Sequence, residues 1–238
     1  MAKKIFIDPG HSVTDPGAVG YAVERDLNEK TAAFMNEHLL ATYVCETKVD
    51  PVSNKSLSAV AESANAWGAD LLVSIHNNAG GGDGYEALVY SDKTVPLGKI
   101  FEKYVLAIGQ NSRGVKLRPG LAVLRQSNMP AVLNEGAFVD NKKDIEDWND
   151  DHELKKMGIA YAEAAAEYLG LEKKAAAPAP APEPEPAPAA PSTSGGLYRV
   201  FNAAGKQVGA YSKEANAFNE VKKQLQAGGA AKITLSEK

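Results

Sequence analysis

Four residues that can bind a metal ion or carry a proton lie in or beside predicted secondary-structure elements: His11, Glu24, His76 and Glu135. Three of them end apolar runs typical of buried strands, and Glu24 lies in the first turn of a predicted helix. In open α/β sheets, functional groups collect at the carboxyl ends of the strands. Two neutral imidazoles and a carboxylate suit a catalytic Zn²⁺ with one position open for water, and a second carboxylate can act as general base. This set of residues predicts a hydrolase.

Each of these residues also has an ordinary structural explanation. His11 suits a loop that follows a Pro-Gly turn, with Asp8 able to orient its ring. Glu24 suits a helix start because a carboxylate interacts favourably with the helix dipole. His76 is harder to explain by packing, since a buried imidazole needs hydrogen-bond partners. Glu135 could form a buried salt bridge instead of acting as a base. The arginines considered for that bridge are Arg113, Arg118 and Arg125.

Alternating strands and helices between residues 3 and 169 would position these side chains. Hydrophobic patterns predict strands at 4–10, 43–49, 71–76, 85–90, 121–125 and 130–136. They predict helices at 24–40, 57–67, 97–108 and 153–169. This order favours an α/β fold with a mostly parallel sheet that helices cover on both faces.

Composition restricts the class of protein and its compartment. The chain has 238 residues, of which 44% are hydrophobic and 24% are charged, as in ordinary globular proteins. Its single cysteine, Cys45, excludes a disulfide framework and a cysteine-based zinc site. No segment has the apolar core of a signal peptide or of a membrane span, so we expect synthesis in the cytosol without membrane insertion. The chain has no phosphate loop or dinucleotide fingerprint, and nucleic-acid binding is not expected.

A segment rich in proline and alanine predicts two separate domains. Residues 175–196 hold 7 of the 13 prolines, which favours an extended polyproline II spacer. We therefore predict a catalytic domain at 1–171, a linker at 172–196 and a small α+β module at 197–238, with ββαβ order and its helix at 213–225. The first domain has 17 basic and 24 acidic residues, whereas the module has 7 and 3. The basic module suggests an anionic surface as its partner.

The segments around the four residues resemble the motifs of zinc-dependent N-acetylmuramoyl-L-alanine amidases of the Amidase_3 type. The similarity covers about residues 3–169 and includes IFIDPGH, ERDLNEK, ANAWGADLLVSIHNNA and LNEGAFVDNKKD. It implies a twisted six-stranded sheet flanked by helices. It also implies hydrolysis of the amide between the lactyl group of N-acetylmuramic acid and the first L-alanine of the peptidoglycan stem. By this resemblance, His11, Glu24 and His76 are the zinc ligands and Glu135 is the catalytic glutamate.

The resemblance and the lack of a secretion signal together favour a bacteriophage endolysin. Such an enzyme is made in the host bacterial cytoplasm and reaches the wall through a separately encoded pore. A mother-cell autolysin of a spore former is the alternative. A zinc peptidase that acts on stem peptides, and a wall-binding protein with a degenerate site, are hypotheses from other classes.

The C-terminal segment resembles SPOR-type peptidoglycan-binding modules in YRVF, QVGAYS and VKKQL. This resemblance, with the positive charge, implies a module that binds the wall and its anionic polymers.

Overall fold

The structure, a computed structural model, describes residues 2–51, 57–175, 197–202, 206–211, 216–217, 220–222 and 231–236. The chain divides into two units after residue 175. Most of the predicted linker lies outside the described residues. Within the described ranges, no helix combines the length and the apolar character that crossing a membrane requires.

Six strands form the central sheet of the first unit. They are β1 (Lys3–Pro9), β2 (Cys45–Val49), β3 (Leu71–Asn78), β4 (Tyr85–Val89), β5 (Ser112–Leu117) and β6 (Ala131–Phe138). Their order across the sheet is β2-β1-β3-β6-β4-β5. All neighbouring pairs are parallel except β4 and β6, which are antiparallel. The predicted six-stranded, mostly parallel sheet is confirmed.

Helices cover both faces of this sheet. They are α1 (Glu24–Thr42), α2 (Leu57–Trp67), α3 (Val95–Ala107), α4 (Ala122–Arg125), α5 (Lys142–Asp147) and α6 (Asp151–Leu169), with a 3₁₀ turn at Asp92–Thr94. One core cluster includes side chains of α1, α3 and α6, and the other includes side chains of α2 and α4. The two clusters lie on opposite faces of the strands.

The interior strands are buried on both faces because helices cover both faces of the sheet. Successive side chains of a strand point to opposite sides, so they divide between the two clusters. In β1, Ile5 and Ile7 belong to the cluster with α1, whereas Phe6 belongs to the cluster with α2. In β3, Val73 belongs to the cluster with α1 and Leu72 belongs to the cluster with α2. Such strands therefore read as continuous apolar runs rather than as alternating ones.

The strand predicted at 121–125 is wrong, because these residues form the short helix α4. The backbone N–H of Arg125 donates to the Leu121 carbonyl at 2.9 Å, and that of Gln126 donates to the Ala122 carbonyl at 2.9 Å. A short apolar run does not distinguish a strand from a helix turn. The strand of this region lies earlier, at Ser112–Leu117, and forms an edge of the sheet beside β4.

The chain remains on the first unit beyond the predicted boundary at 171. The backbone N–H of Val44 donates to the Glu172 carbonyl at 2.9 Å, and that of Lys174 donates to the Thr42 carbonyl at 2.8 Å. These bonds attach residues 172–174 to the segment between α1 and β2. The predicted domain limits at 171 and 196 stay predictions.

The second unit contains a three-stranded antiparallel sheet. Its strands are β7 (Leu197–Asn202), β8 (Gln207–Tyr211) and β9 (Ala231–Ser236), in the order β8-β7-β9. Residues 216–217 and 220–222 are helical, and the rest of the helix predicted at 213–225 lies outside the described residues. The described elements follow the predicted ββαβ order.

Candidate metal centre

Three neighbouring interior strands, β1, β3 and β6, bring the histidines and Glu135 together at the carboxyl ends of these strands. His76 in β3 is in register with Glu135 in β6. The turn after β1 brings His11 beside His76, because the Gly10 N–H donates to the Ile75 carbonyl at 2.9 Å. The two imidazole rings have centroids 5.0 Å apart. Residues 65 positions apart in the chain therefore share one site.

The backbone around His11 adopts a conformation that is unusual for a side-chain-bearing residue. His11 has φ 74°, and no other non-glycine residue in the described ranges has a positive φ. Such a conformation costs roughly 1–3 kcal/mol and is commonly found at functional sites. A Cβ at Gly10 would lie 2.3 Å from the His76 ring, and one at Gly17 would lie 2.5 Å from Glu24 Oε2. The turn packs this closely because glycine occupies both positions.

Glu24 joins the two histidines. Its Oε1 lies 2.9 Å from His11 Nε2 and 2.9 Å from His76 Nδ1. Its carboxylate also accepts the backbone N–H groups of Asn77 at 3.2 Å and Ala18 at 2.9 Å. One nitrogen or oxygen from each of the three residues lies within 4.8 Å of the other two. No other group of three or more His, Cys, Asp or Glu residues in the described part of the chain could hold a metal ion in this way.

The carboxylate of Glu24 raises the affinity of both histidines for a proton, with which a metal ion would compete. The hydrogen bond with Glu24 raises the pKa of His11 to about 9. Burial lowers the pKa of His76, but the hydrogen bond with Glu24 prevails and raises it above its ordinary value. Burial raises the pKa of Glu24, and the bonds with the two histidines outweigh it and hold that pKa well below the usual range. A carboxylate that stays ionised here stabilises a positive charge.

Glu135 lies beside the three residues but in a different environment. Its Oε2 is buried and has no hydrogen-bond partner. Burial raises its pKa to about 7. A carboxyl group that titrates near neutral pH suits a general base.

The alternative of a salt bridge to Glu135 fails for all three arginines. Arg113 pairs with Glu86 at 2.5 Å. Arg118 and Arg125 donate to the backbone carbonyls of Leu117 and Gly120. None of the three arginines therefore neutralises the carboxylate of Glu135.

Asp15 orients His11, which the sequence did not reveal. His11 Nδ1 lies 3.1 Å from Asp15 Oδ2, and its other ring nitrogen contacts Glu24. Both nitrogens are therefore engaged without Asp8, which accepts a bond from Ser74 Oγ at 2.7 Å. The prediction that Asp8 orients His11 is wrong, because the turn carries Asp15 rather than Asp8 to the ring.

A buried asparagine on α1 links the segments that carry the two histidines. Asn28 donates through Nδ2 to the Gly10 carbonyl at 3.2 Å, and its Oδ1 accepts from Asn77 Nδ2 at 2.8 Å. Gly10 precedes His11 and Asn77 follows His76 in the chain. Asn28 lies one helical turn after Glu24, so a polar residue on the buried face of α1 was the signal available in the sequence.

A pocket of about 350 Å³ opens over the four site residues. Glu135 and the His11–Glu24–His76 group lie along one part of its lining. Apolar side chains from strands and helices form much of the rest: Val60, Leu88, Leu121, Val123 and Leu133. Arg118 also lines the pocket. The space lets a substrate approach Glu135 and the candidate metal centre together.

The fold and the site define a hydrolase that has a mostly parallel α/β sheet and a candidate metal centre. Residues 5–167 match the Amidase_3 family, described as N-acetylmuramoyl-L-alanine amidase. The chain belongs to this family and is an amidase. The family and the enzyme class predicted from the sequence are confirmed.

Individual relatives include bacterial and phage proteins. The sporulation-specific N-acetylmuramoyl-L-alanine amidase of Bacillus subtilis (strain 168) is 32% identical over 227 residues, which cover 90% of this chain and 77% of that protein. The endolysin of Bacillus phage SPP1 is 34% identical over 187 residues, which cover 73% of this chain and 69% of that protein.

Solved structures share the fold of the first unit. The catalytic domain of CwlV, an N-acetylmuramoyl-L-alanine amidase from Bacillus (Paenibacillus) polymyxa var. colistinus, superposes with a TM-score of 0.67 at 26% identity. The match covers 71% of this chain and 99% of that domain.

Proposed function

We propose that the protein hydrolyses the amide between the lactyl group of N-acetylmuramic acid and L-alanine in peptidoglycan, with zinc as its cofactor. The observation that carries the proposal is the convergence of His11, Glu24 and His76 beside the unpartnered carboxylate of Glu135. Membership of the amidase family supports the substrate class.

The three residues suit Zn²⁺ by their chemistry. Imidazole nitrogens and a carboxylate oxygen are common zinc ligands, and three protein ligands leave a position open in a catalytic site. His11 would bind through Nε2, His76 through Nδ1 and Glu24 through Oε1, the atoms that already converge. When bound, zinc supplies Lewis acidity that polarises a carbonyl group and lowers the pKa of water.

The proton transfers are assigned to Glu135. Its carboxylate, which lines the pocket, would accept a proton from the water that attacks the lactyl carbonyl. The same carboxyl group then donates the proton to the nitrogen of the departing L-alanine. Asp15 holds the His11 ring, and the N–H groups of Ala18 and Asn77 hold Glu24 during these steps.

Analysis of peptidoglycan digests tests the reaction. We expect new free N-terminal L-alanine and intact muramic acid, identified by mass spectrometry. Chelation should abolish the products, and added Zn²⁺ should restore them. New N-termini at other stem residues would support the peptidase hypothesis instead, and no products would support the degenerate wall-binding protein.

Metal analysis tests the ligands. His76→Ala should lose most bound zinc, because two protein ligands remain. His152→Ala is the matched control, since its exposed imidazole contacts Glu153 away from the site. Full zinc occupancy in His76→Ala would remove His76 from the ligand set.

We propose a phage endolysin as the biological setting, with action on the wall after release through a separate pore. The similarity to the SPP1 endolysin supports this role. A mother-cell autolysin is the second candidate, because the match to the sporulation-specific amidase covers 90% of the chain. A coding sequence beside a pore-forming protein in a phage genome would favour the endolysin. A chromosomal gene whose disruption prevents mother-cell lysis would favour the autolysin.

We propose that residues 197–238 bind the cell wall through its anionic polymers, tethered to the catalytic domain at 1–171 by the linker at 172–196. The division of the chain into two units and the excess of basic residues in the second support this role.

A further inference from the structure

Arg118 is the one arginine or lysine among the described residues that line the pocket over Glu135. It follows β5 directly and lies at the end of that strand. The lining also holds the two candidate ligand histidines and the carboxylates of Asp8, Glu24 and Glu135. An arginine among an apolar wall and three carboxylates can distinguish substrates by their charge.

The backbone of Arg118 is fixed, whereas its guanidinium is available for a ligand. Its N–H donates to the Val89 carbonyl at 2.8 Å, and its own carbonyl accepts from the Leu121 N–H at 3.2 Å. The guanidinium donates through Nη1 to the Leu117 carbonyl and, within the described chain, forms no ion pair. The neighbouring cations differ, because Arg113 and Lys116 both pair with Glu86.

Arg118 and Glu135 line the same pocket, and strand spacings give their approximate separation. Glu86 on β4 is opposite Glu135, and Val89, which anchors Arg118, is three residues further along β4. Three residues along a strand and two strand spacings across the sheet put the α-carbons of Glu135 and Arg118 roughly 14 Å apart. Two residues of an extended peptide span about 7 Å, and the length of the arginine side chain covers the difference.

The chemistry of a muramoyl peptide identifies the group that Arg118 would meet. Its sugars carry hydroxyl and acetamido groups, and its lactyl carboxyl is consumed in the amide bond. The first free carboxylate after the scissile bond belongs to the second stem residue, a D-glutamate linked through its side chain. In some cell walls this carboxylate is converted to an amide, which removes the charge.

We propose that Arg118 binds the free carboxylate of the second stem residue and so selects unamidated stems over amidated ones. This inference rests on the proposed function of the site. Guanidinium–carboxylate pairs have two parallel hydrogen bonds, which a carboxamide cannot accept in the same way. The stem then extends from Glu135 towards Arg118 and α4, and the glycan leaves the pocket in another direction.

Cleavage of two muramoyl dipeptides tests the role of Arg118. The zinc-loaded full chain is compared on N-acetylmuramoyl-L-alanyl-D-isoglutamate and on the isoglutamine analogue. We expect about tenfold higher kcat/KM for the carboxylate, as for a hydrogen bond between charged groups. Arg118→Gln should remove the preference through KM, and Arg118→Lys should keep part of it because the charge remains.

Arg125→Gln is the matched control. Arg125 is exposed near Arg118, donates to the backbone carbonyl of Gly120 and does not line the pocket. This variant should keep the wild-type ratio. Equal kcat/KM for the two substrates in the wild-type protein, or an unchanged preference in Arg118→Gln, would overturn the assignment.

Measurements of dipeptide binding test the role of Arg118 separately from the proposed amidase reaction. Calorimetry with the Glu135→Gln protein measures affinity for the same two dipeptides without turnover. Tighter binding of the carboxylate that Arg118→Gln abolishes would support Arg118 even if the wild-type protein cleaved neither compound, an outcome that would refute only the amidase reaction. Equal or undetectable binding of both dipeptides would refute the role of Arg118.

Discussion

Glu135 is a carboxylate at a strand position where packing alone favours an apolar side chain. Its neighbours in β6 are buried, and its Oε2 has no partner. Leaving a charged group partly desolvated and unpaired destabilises the fold. A function for the ionised group explains why this position carries glutamate.

Replacing this carboxylate separates catalysis from metal binding. Glu135→Gln should retain zinc, because Glu135 is not part of the His11–Glu24–His76 group. Its activity should fall roughly 10²–10⁴-fold, the usual contribution of a general base. Hydrolysis rates on soluble muropeptides and zinc content measured together check both effects. Glu146→Gln, at an exposed carboxylate, is the control, and near wild-type turnover by Glu135→Gln would disprove the assignment.

Asn28 extends the site into the buried face of α1. Asn28→Asp should keep the acceptor for Asn77 but replace the donor to the Gly10 carbonyl with a second acceptor. We expect about 1–3 kcal/mol of lost stability, the cost of an unpaired buried polar group, together with weaker zinc binding. Urea unfolding and competition with a chelator measure the two effects.

Asn36→Asp provides the comparison for this variant. Asn36 lies two turns further along α1 and uses its side-chain oxygen to accept from Thr47, a bond that aspartate keeps. This change should leave zinc affinity unaltered. Equal zinc affinity in Asn28→Asp and Asn36→Asp would show that Asn28 does not position the ligands.

At the scale of elements, β5 depends on charge as well as on backbone pairing. Glu86 of β4 is buried, and its carboxylate pairs with Arg113 and Lys116 of β5. Burial raises the pKa of Glu86, but the hydrogen bonds from these two cations outweigh it and lower that pKa below its ordinary value. These two ion pairs therefore stabilise the position of β5, the edge strand that precedes Arg118, beside β4.

The lowered pKa of Glu86 predicts a pH-dependent contribution to stability. This stabilisation is present above the ordinary pKa of glutamate, near 4.3, and is lost as the pH falls through the lowered value. Glu86→Gln should reduce the free energy of unfolding at pH 7 by about 1–2 kcal/mol, between the values for surface and buried pairs. The difference should shrink near pH 3.

Urea unfolding of the zinc-free protein at the two pH values measures this difference. Glu146→Gln, which removes an exposed carboxylate 3.6 Å from Lys142, should change little at either pH. A loss of stability in Glu86→Gln that is as large at pH 3 as at pH 7 would point to packing rather than to charge.

The elements that the sequence predicts well are those buried on both faces. Residues 71–76 and 130–136 form continuous apolar runs, and both belong to interior strands. The polar edge strand β5 has no such pattern, and the apolar run at 121–125 satisfies a helix turn equally well. Hydrophobic pattern reports burial, so it fails where an element is exposed or very short.

The residues of the candidate site also differ in how well the sequence predicts them. His11, His76 and Glu135 were visible because polar groups that end apolar runs are unusual, and family motifs added the role of Glu24. The roles of Asn28 and Asp15 could not be predicted, because they depend on contacts that only folding creates, although the polar Asn28 on an apolar helix face was a signal. Asn28 and Asn77, for example, are 49 residues apart.

At the scale of the whole molecule, charge differs between the two parts of the chain. Residues 1–171 carry more acidic than basic groups, whereas 197–238 carry 7 basic and 3 acidic ones. A catalytic unit with net negative charge is repelled by an anionic wall, and a basic module attached to it counteracts that repulsion. This difference in charge supports the proposed wall-binding role of residues 197–238.

Removing the second unit tests this division. A chain that ends at residue 175 keeps the bonds of Lys174 to the first unit, so it should fold, bind zinc and cleave small soluble muropeptides at an unchanged rate. On intact walls it should be slower, because a bound module raises the local concentration of substrate around the catalytic unit. Co-sedimentation with walls should show tighter binding of the full chain, and this difference should decrease as salt screens the charges. Equal sedimentation of both chains at low salt would refute the wall-binding role of residues 197–238.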